Sequence, residues 1–159
     1  MILSKSSIYG LRAAVLLTGK QDDGYTNIRE LSDELGLSFY FLTKVLQRLT
    51  AAGIIESHKG PNGGVRLKGN PHEISFMNII SAIEGELNLH ECVLGLGNCG
   101  ELSFCSIHEA WSHMTRDILT LLEETTLFSA CHSGRGNPEA KTVADLIKVE
   151  SKYFDLNKT

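Results

Sequence analysis

Apolar residues recur at helical spacing along most of this chain and alternate along one short stretch. Ile8, Leu11, Val15 and Leu16 share a stripe that predicts a first helix over residues 8–19. Gln21-Asp22-Asp23-Gly24 is a turn. Asn27, with Glu30 three residues on, forms a capping pair ahead of Ile28, Leu31 and Leu35, and Gly36 ends that second helix. Ser38 caps a third helix that runs to about Gly53, a residue suited to the position just past a helix end. Ile54 to His58, the turn Gly60-Pro61-Asn62-Gly63-Gly64, and Val65 to Lys68 then predict a β-hairpin. Helix, short turn, helix, hairpin is the order of a winged helix-turn-helix.

Beyond the hairpin, Ser75 caps a fourth helix with Phe76, Ile79, Ile80 and Ile83 turned inward, ending at Gly85. Residues 86–105 form a cysteine-bearing loop. Ser106 with Glu109 reads as a capping box that opens a long helix to about Leu127. In it Ile107, Trp111, Met114, Ile118, Leu121 and Thr125 recur at alternating spacings of four and three, a coiled-coil-like seam, with Leu119 and Leu122 as a second stripe. Two apolar stripes need two partners, the chain's own domain and a second copy, so the helix is expected to dimerise. Residues 129–138 read as a loop and 139–153 as a weak terminal helix. The fold class is therefore mainly α with a small β-hairpin: a winged helix-turn-helix domain (1–85), a cysteine-rich loop (86–105), a dimerisation helix (106–128) and a C-terminal tail (129–159).

Composition changes this picture little; charge changes it more. The 159 residues are 42% hydrophobic and 21% charged, an ordinary globular balance. The early patch Ala13-Ala14-Val15-Leu16-Leu17 is too short to span a membrane and no cleavage pattern follows it, so a cytoplasmic protein is expected. Net charge is −4, but residues 1–70 carry nine Lys or Arg against six Asp or Glu, whereas residues 71–159 carry six against thirteen. A basic front half suggests that this end meets a polyanion.

The third helix fits that role. Leu42, Val45, Leu46 and Leu49 share its packed face, while Tyr40, Thr43, Lys44, Gln47 and Arg48 fall opposite. A recognition helix needs this division, an apolar back and a polar front that enters the major groove. In the hairpin His58, Lys59 and Arg66 flank a glycine-rich tip whose backbone can lie close to phosphates. With the capping Ser38, these residues form the expected DNA-facing set: Ser38, Tyr40, Thr43, Lys44, Arg48, His58, Lys59 and Arg66. The partner would be double-stranded DNA with a palindromic operator.

A second chemistry is concentrated further on. Cys92, Cys99, Cys105 and His108 fall within seventeen residues of a chain whose one other cysteine is Cys131. Thiolate and imidazole are the ligands that zinc, copper and iron–sulfur iron prefer, and the glycine-rich segment between them can wrap a compact inorganic centre. Cys105 and His108 lie three apart at an expected helix N-terminus, where free N–H groups favour an anionic centre. The close cysteine pairs usual for structural zinc are absent. Cys131 and His132 lie beyond the long helix, and Cys131 reads as an incidental thiol.

The run from Arg48 through Ala51-Ala52-Gly53-Ile54-Ile55 to Lys59-Gly60-Pro61-Asn62-Gly63-Gly64-Val65 resembles the wing signature of the Rrf-two (BadM/IscR-like) regulators. Ile74-Ser75-Phe76 to Ala82-Ile83-Glu84-Gly85 is similar to that family's next helix, and Leu3-Ser4 to Tyr9-Gly10-Leu11-Arg12 to its first. The resemblance spans roughly residues 1–128. It implies a dimeric transcription regulator, not an enzyme, whose operator affinity follows an iron–sulfur cluster that senses iron, redox state or nitric oxide. It also implies that DNA is read from the start of the recognition helix and from a basic wing residue, here Lys59 where relatives carry arginine. Members with a two-iron cluster use a histidine three residues after the last cysteine, the place of His108. Members with a four-iron cluster draw a carboxylate from a place held here by Ile8, which cannot ligate. A two-iron cluster on Cys92, Cys99, Cys105 and His108 is thus favoured, with a four-iron cluster as the alternative. Two other functions compete: a metal-free thiol-switch regulator, and a small iron–sulfur or zinc redox protein. Against the latter stands the absence of a Cys-x-x-Cys, a nucleophile–base pair or a cofactor motif.

Overall fold

The computed structural model describes residues 3–87, 89, 106–132 and 143–147. Its elements run α1 (Lys5–Gly19), a 3-10 turn (Gln21–Asp23), α2 (Ile28–Leu35), α3 (Phe39–Ala51), β1 (Ile55–His58), β2 (Gly64–Leu67), α4 (Phe76–Glu84), α5 (His108–Glu124) and α6 (Leu127–His132). Residues 143–147 are also helical. Mainly helical with one hairpin, this is the winged helix-turn-helix architecture that the hydrophobic pattern predicts.

α1 is the central element, packed against α3, α4 and α6. It starts earlier than its apolar stripe suggests, because Ser4 caps it: the Ser7 N–H donates to Ser4 Oγ at 3.2 Å. Its buried side, Ala13 to Leu17, meets Leu31 and Leu35 of α2, Leu42 to Leu49 of α3, and Ile79 and Ile83 of α4 in one core. Each fully buried leucine there contributes about 1.5–3 kcal/mol relative to exposure. α4 packs against α1 at Gly10, where a Cβ would collide with the Ile83 side chain and touch that of Val45.

The helix-turn-helix is built as the sequence predicts. Gly36 ends α2 in the left-handed region, and Ser38 caps α3 by accepting the Phe41 N–H at 3.3 Å. Asn27 caps α2, but through the Arg29 N–H and without Glu30; that carboxylate lies 3.6 Å from Lys20 Nζ instead. The hairpin pairs Ile55 with Leu67, Glu56 with Arg66, Ser57 with Val65 and His58 with Gly64. Thr26 adds a third edge by exchanging two backbone hydrogen bonds with Val65, at 2.8 and 2.9 Å.

α4 opens on a capping box between Ser75 and Asn78. The same turn receives the far end of α5: Phe76 donates to the Thr125 carbonyl and Leu127 to that of Ile74. This pairing draws Thr125 into an extended conformation and stops α5 at Glu124, three residues short of the expected Leu127. Thr126 and Ser129 then cap each other reciprocally and start α6, so residues 129–132 are helical where a loop is expected. At its other end α5 begins at His108, with Ile107 as N-cap and no side-chain cap. The expected Ser106–Glu109 capping box does not form, because Ser106 lies in a turn one residue too early.

Along α5, Thr115 and Leu122 are buried against the domain. The seam residues Ile107, Met114 and Leu121 are 45%, 48% and 63% exposed on the single chain. No helix among the described residues is long and apolar enough to cross a membrane.

Gly64 shows how tightly the wing is seated: a Cβ there would run into the Thr26 carbonyl. Gly64→Ala should therefore cost about 1–3 kcal/mol. Thermal melting should register the loss, and amide exchange at Thr26 and Val65 should lose protection ahead of α1. Wild-type protection at both amides in the variant would mean that the bridge does not constrain the wing.

Candidate nucleic-acid interface and cysteine segment

Helical periodicity divides α3 into two faces that the structure separates cleanly. Leu42, Val45, Leu46 and Leu49 are buried, whereas Tyr40 is 82% exposed and Lys44 and Gln47 point to solvent. Thr43 is half-buried, and its hydroxyl donates to the Phe39 carbonyl at 2.7 Å. Between α3 and the wing lies an open cleft of about 610 Å³, bordered by Phe39, Thr43, Gln47 and Thr50 on one side and by His58 and Lys59 on the other. The wing tip turns on a Gly63 N–H to Gly60 carbonyl bond of 2.9 Å, leaving Lys59 exposed beside it. Polar side chains from a helix and a basic residue from a hairpin thus border one concave surface.

Four residues of the expected DNA-facing set make structural contacts within the chain. Arg48 turns away from the cleft and donates from Nη1 to the Ile83 carbonyl at 2.7 Å, pinning α3 to the last turn of α4. Arg66 lies 2.6 Å from Glu56 Oε1 through Nε, with its guanidinium carbon 4.6 Å from the Tyr25 ring centroid. Tyr25 donates its hydroxyl to the same carboxylate oxygen at 3.1 Å, and its ring lies 5.3 Å from that of His58. Arg66, Glu56, Tyr25 and His58 therefore brace the wing as a unit. The Arg66 hydrogen bond, with the Tyr25 hydroxyl second, holds the Glu56 carboxyl below its ordinary value, and Glu56 in turn raises Arg66. Ser38 serves as the α3 cap. Tyr40, Thr43, Lys44 and Lys59 remain available at the surface.

Sequence reasoning missed Tyr25 and Phe39. Tyr25 precedes a helix cap and has no local pattern; its role depends on long-range pairing with the hairpin. Phe39 reads as an ordinary apolar first-turn residue, yet it is 39% exposed and borders the cleft.

Of the four expected metal ligands, Cys92, Cys99 and Cys105 lie outside the described residues. His108 is the first residue of α5 and half-buried. The described residues alone contain no group of three or more His, Cys, Asp or Glu arranged to hold a metal. Ile8, on α1, sits among Leu11, Val15, Phe76, Val143 and Ile147 in a mostly apolar hollow whose one charged lining residue is Arg12. Cys131 is half-buried in α6 and its thiol donates to the Val15 carbonyl at 3.6 Å. Burial pushes that thiol's pKa up, which disfavours the reactive thiolate.

A family profile described as "Rrf2: Iron-dependent Transcriptional regulator" matches residues 3–133. The chain is 31% identical over 128 residues to the HTH-type transcriptional regulator NsrR of Bacillus licheniformis, covering 80% of this chain and 90% of that protein. Among solved structures it is similar to CymR, the global cysteine regulator of B. subtilis, with a TM-score of 0.67 and 25% identity over 79% of this chain and 92% of that one. It is also similar to the oxidized form of Staphylococcus aureus CymR, with a TM-score of 0.63 and 28% identity over 80% and 93% of the two chains.

The Glu56 network carries a pH signature. A carboxyl held below its unfolded value stabilises the fold above that value and loses its contribution as pH falls through the lowered one. Wild type should therefore melt above Glu56→Gln at neutral pH, and the gap should close as the buffer is taken below the ordinary carboxylate range. A gap that persists undiminished in acid would assign the stabilisation to packing rather than to the ionised carboxylate.

Proposed function

The chain belongs to the Rrf2 family of transcriptional regulators, and from that premise we propose a cytoplasmic homodimer that reads two symmetric DNA half-sites under the control of an iron–sulfur centre. The observation that carries the DNA reading is the shared cleft, where the polar face of α3 and the basic wing border one surface. Major-groove readout then falls to Tyr40, Thr43 and Lys44, with Gln47 beside them, and backbone contact to Lys59. The exposed seam of Ile107, Met114 and Leu121 supports dimerisation along α5.

The proposed ligands are Cys92, Cys99, Cys105 and His108. Three thiolates and one imidazole are a donor set that fits iron–sulfur iron, and the iron dependence in the family's description supports the choice. The apolar setting of Ile8 supports His108 over a ligand from α1, and hence a two-iron cluster. When bound, such a centre supplies a redox- and iron-responsive anionic anchor. The chain's own residues carry its influence onward. α5 starts at His108, packs on α4, and ends hydrogen-bonded to Phe76; α4 accepts Arg48 from α3 at Ile83. Regulation then requires that the loaded centre favour one arrangement of the reading heads over the other. A metal-free thiol switch is the second reading, favoured by likeness to a regulator solved in an oxidized form.

Two outcomes test this. In DNA titrations, Thr43→Ala should change the ranking of duplexes, while Lys59→Ala should weaken all of them and flatten the salt dependence by about 0.9 for each phosphate no longer neutralised. Equal binding by wild type and both variants on every duplex would remove α3 and the wing from the interface. In anaerobic reconstitution, Cys92→Ala, Cys99→Ala and Cys105→Ala should each abolish visible absorbance with iron and sulfide. His108→Ala should leave a labile or altered centre, and Cys131→Ala an intact one. Colourless wild-type protein with DNA affinity that follows thiol oxidation would favour the second reading; stoichiometric zinc without sulfide would replace both with a structural metal.

A further inference from the structure

Four arginines fall in the winged half, and three are committed to other jobs. Arg48 is bonded to the Ile83 carbonyl, Arg66 to Glu56, and Arg12, on α1 with its guanidinium 5.4 Å from the Tyr9 ring, makes a further interaction besides that ring contact. Arg29 differs. It sits exposed in the first turn of α2, and among the described residues its guanidinium has no ion pair and no hydrogen bond. Instead it lies over Phe39, its central carbon 5.5 Å from the ring centroid. Phe39 is the first residue of α3, and its ring meets that of Tyr40 edge-on at 6.1 Å.

An aromatic face orients a guanidinium without consuming its N–H donors, and it removes some of the rotamer freedom that binding would otherwise have to freeze. In helix-turn-helix proteins the first helix crosses the DNA backbone while the N-terminal end of the second enters the major groove. Arg29 stands at that junction, on the first helix and against the first residue of the second. A planar cation with free donors in this place matches a phosphate diester, to which guanidinium can bond bidentately. We propose that Arg29, stacked on Phe39, is a preset phosphate clamp that fixes the register in which Tyr40, Thr43 and Lys44 meet base edges. The inference rests on the DNA-reading assignment of α3.

The test uses the full-length protein and two duplexes, one selected by the wild type from a random pool and one scrambled, each titrated over a series of salt concentrations. Arg29→Ala should weaken both duplexes by a similar factor, on the order of ten-fold per half-site, and flatten the log–log salt slope by about 0.9 per half-site. Arg29→Lys should keep the slope. Phe39→Leu should weaken binding with the slope unchanged, since the charge stays and only its placement is lost, whereas Phe39→Tyr should bind as wild type. Unchanged affinity and slope in a folded Arg29→Ala protein would overturn the clamp, as would Phe39→Leu binding as tightly as wild type. Wild type with no salt-dependent affinity for either duplex would instead overturn the DNA reading itself.

Discussion

Three helices converge where α1 has no side chain. At Gly10 the Ile83 side chain fills the place a Cβ would need, and Val45 lies in contact with that place. Val45 belongs to α3 and Ile83 to the last turn of α4, so side chains of both helices meet α1 where it carries no side chain of its own. Arg48 then ties the same pair together from outside the core, through the Ile83 carbonyl. Tilting α3 to re-aim its polar face would have to repack this crossing, because interiors at crystal-like density do not deform continuously. The polar face of α3 is consequently held in place by the core.

Much of this was legible in the sequence because it is local. Caps at Ser38 and Ser75, the end of α2 at Gly36, the two faces of α3 and the hairpin all follow from spacing and side-chain chemistry within a few residues. The misreadings share a cause as well. Ser106 with Glu109 satisfies the capping rule on paper, yet the helix starts two residues later. Thr125 and Thr126 would sit acceptably in a continuing helix, but backbone pairing with the α4 turn takes them out of it. Arg48 and Arg66 are polar and suitably spaced, and only tertiary contacts reveal that one serves α4 and the other the wing. Local rules placed the cationic residues on exposed positions. They could not say which had already found a partner.

The distribution of those cations has its own logic. Guanidinium groups that anchor structure are matched here to carbonyl or carboxylate oxygen, and the wing is braced by a charge pair with a tyrosine packed against it. Lys44 and Lys59, flexible and strongly hydrated, stand at the exposed positions. Ammonium groups tolerate variable distance to a polyanion, whereas forked donors suit a defined geometry.

On the proposed reading, α5 acts as a lever whose fulcrum is the hydrogen-bonded break at Thr125. Its 17 residues span about 25 Å at 1.5 Å per residue, with His108 at the far end. A shift of about 2 Å at that end corresponds to a rotation of roughly 5° about the fulcrum, given the same helical rise. Carried over half the separation of two sites one helical turn apart, roughly 17 Å, such a rotation moves a reading head by about 1.5 Å, less than one base-pair step. That is enough to spoil hydrogen bonds that tolerate only a few tenths of an ångström. On the proposed reading, with His108 a ligand and two copies on two half-sites, an adjustment at His108 no larger than a metal–ligand bond length is sufficient, on geometry alone, to bring two heads into phase with the double helix or put them out of it.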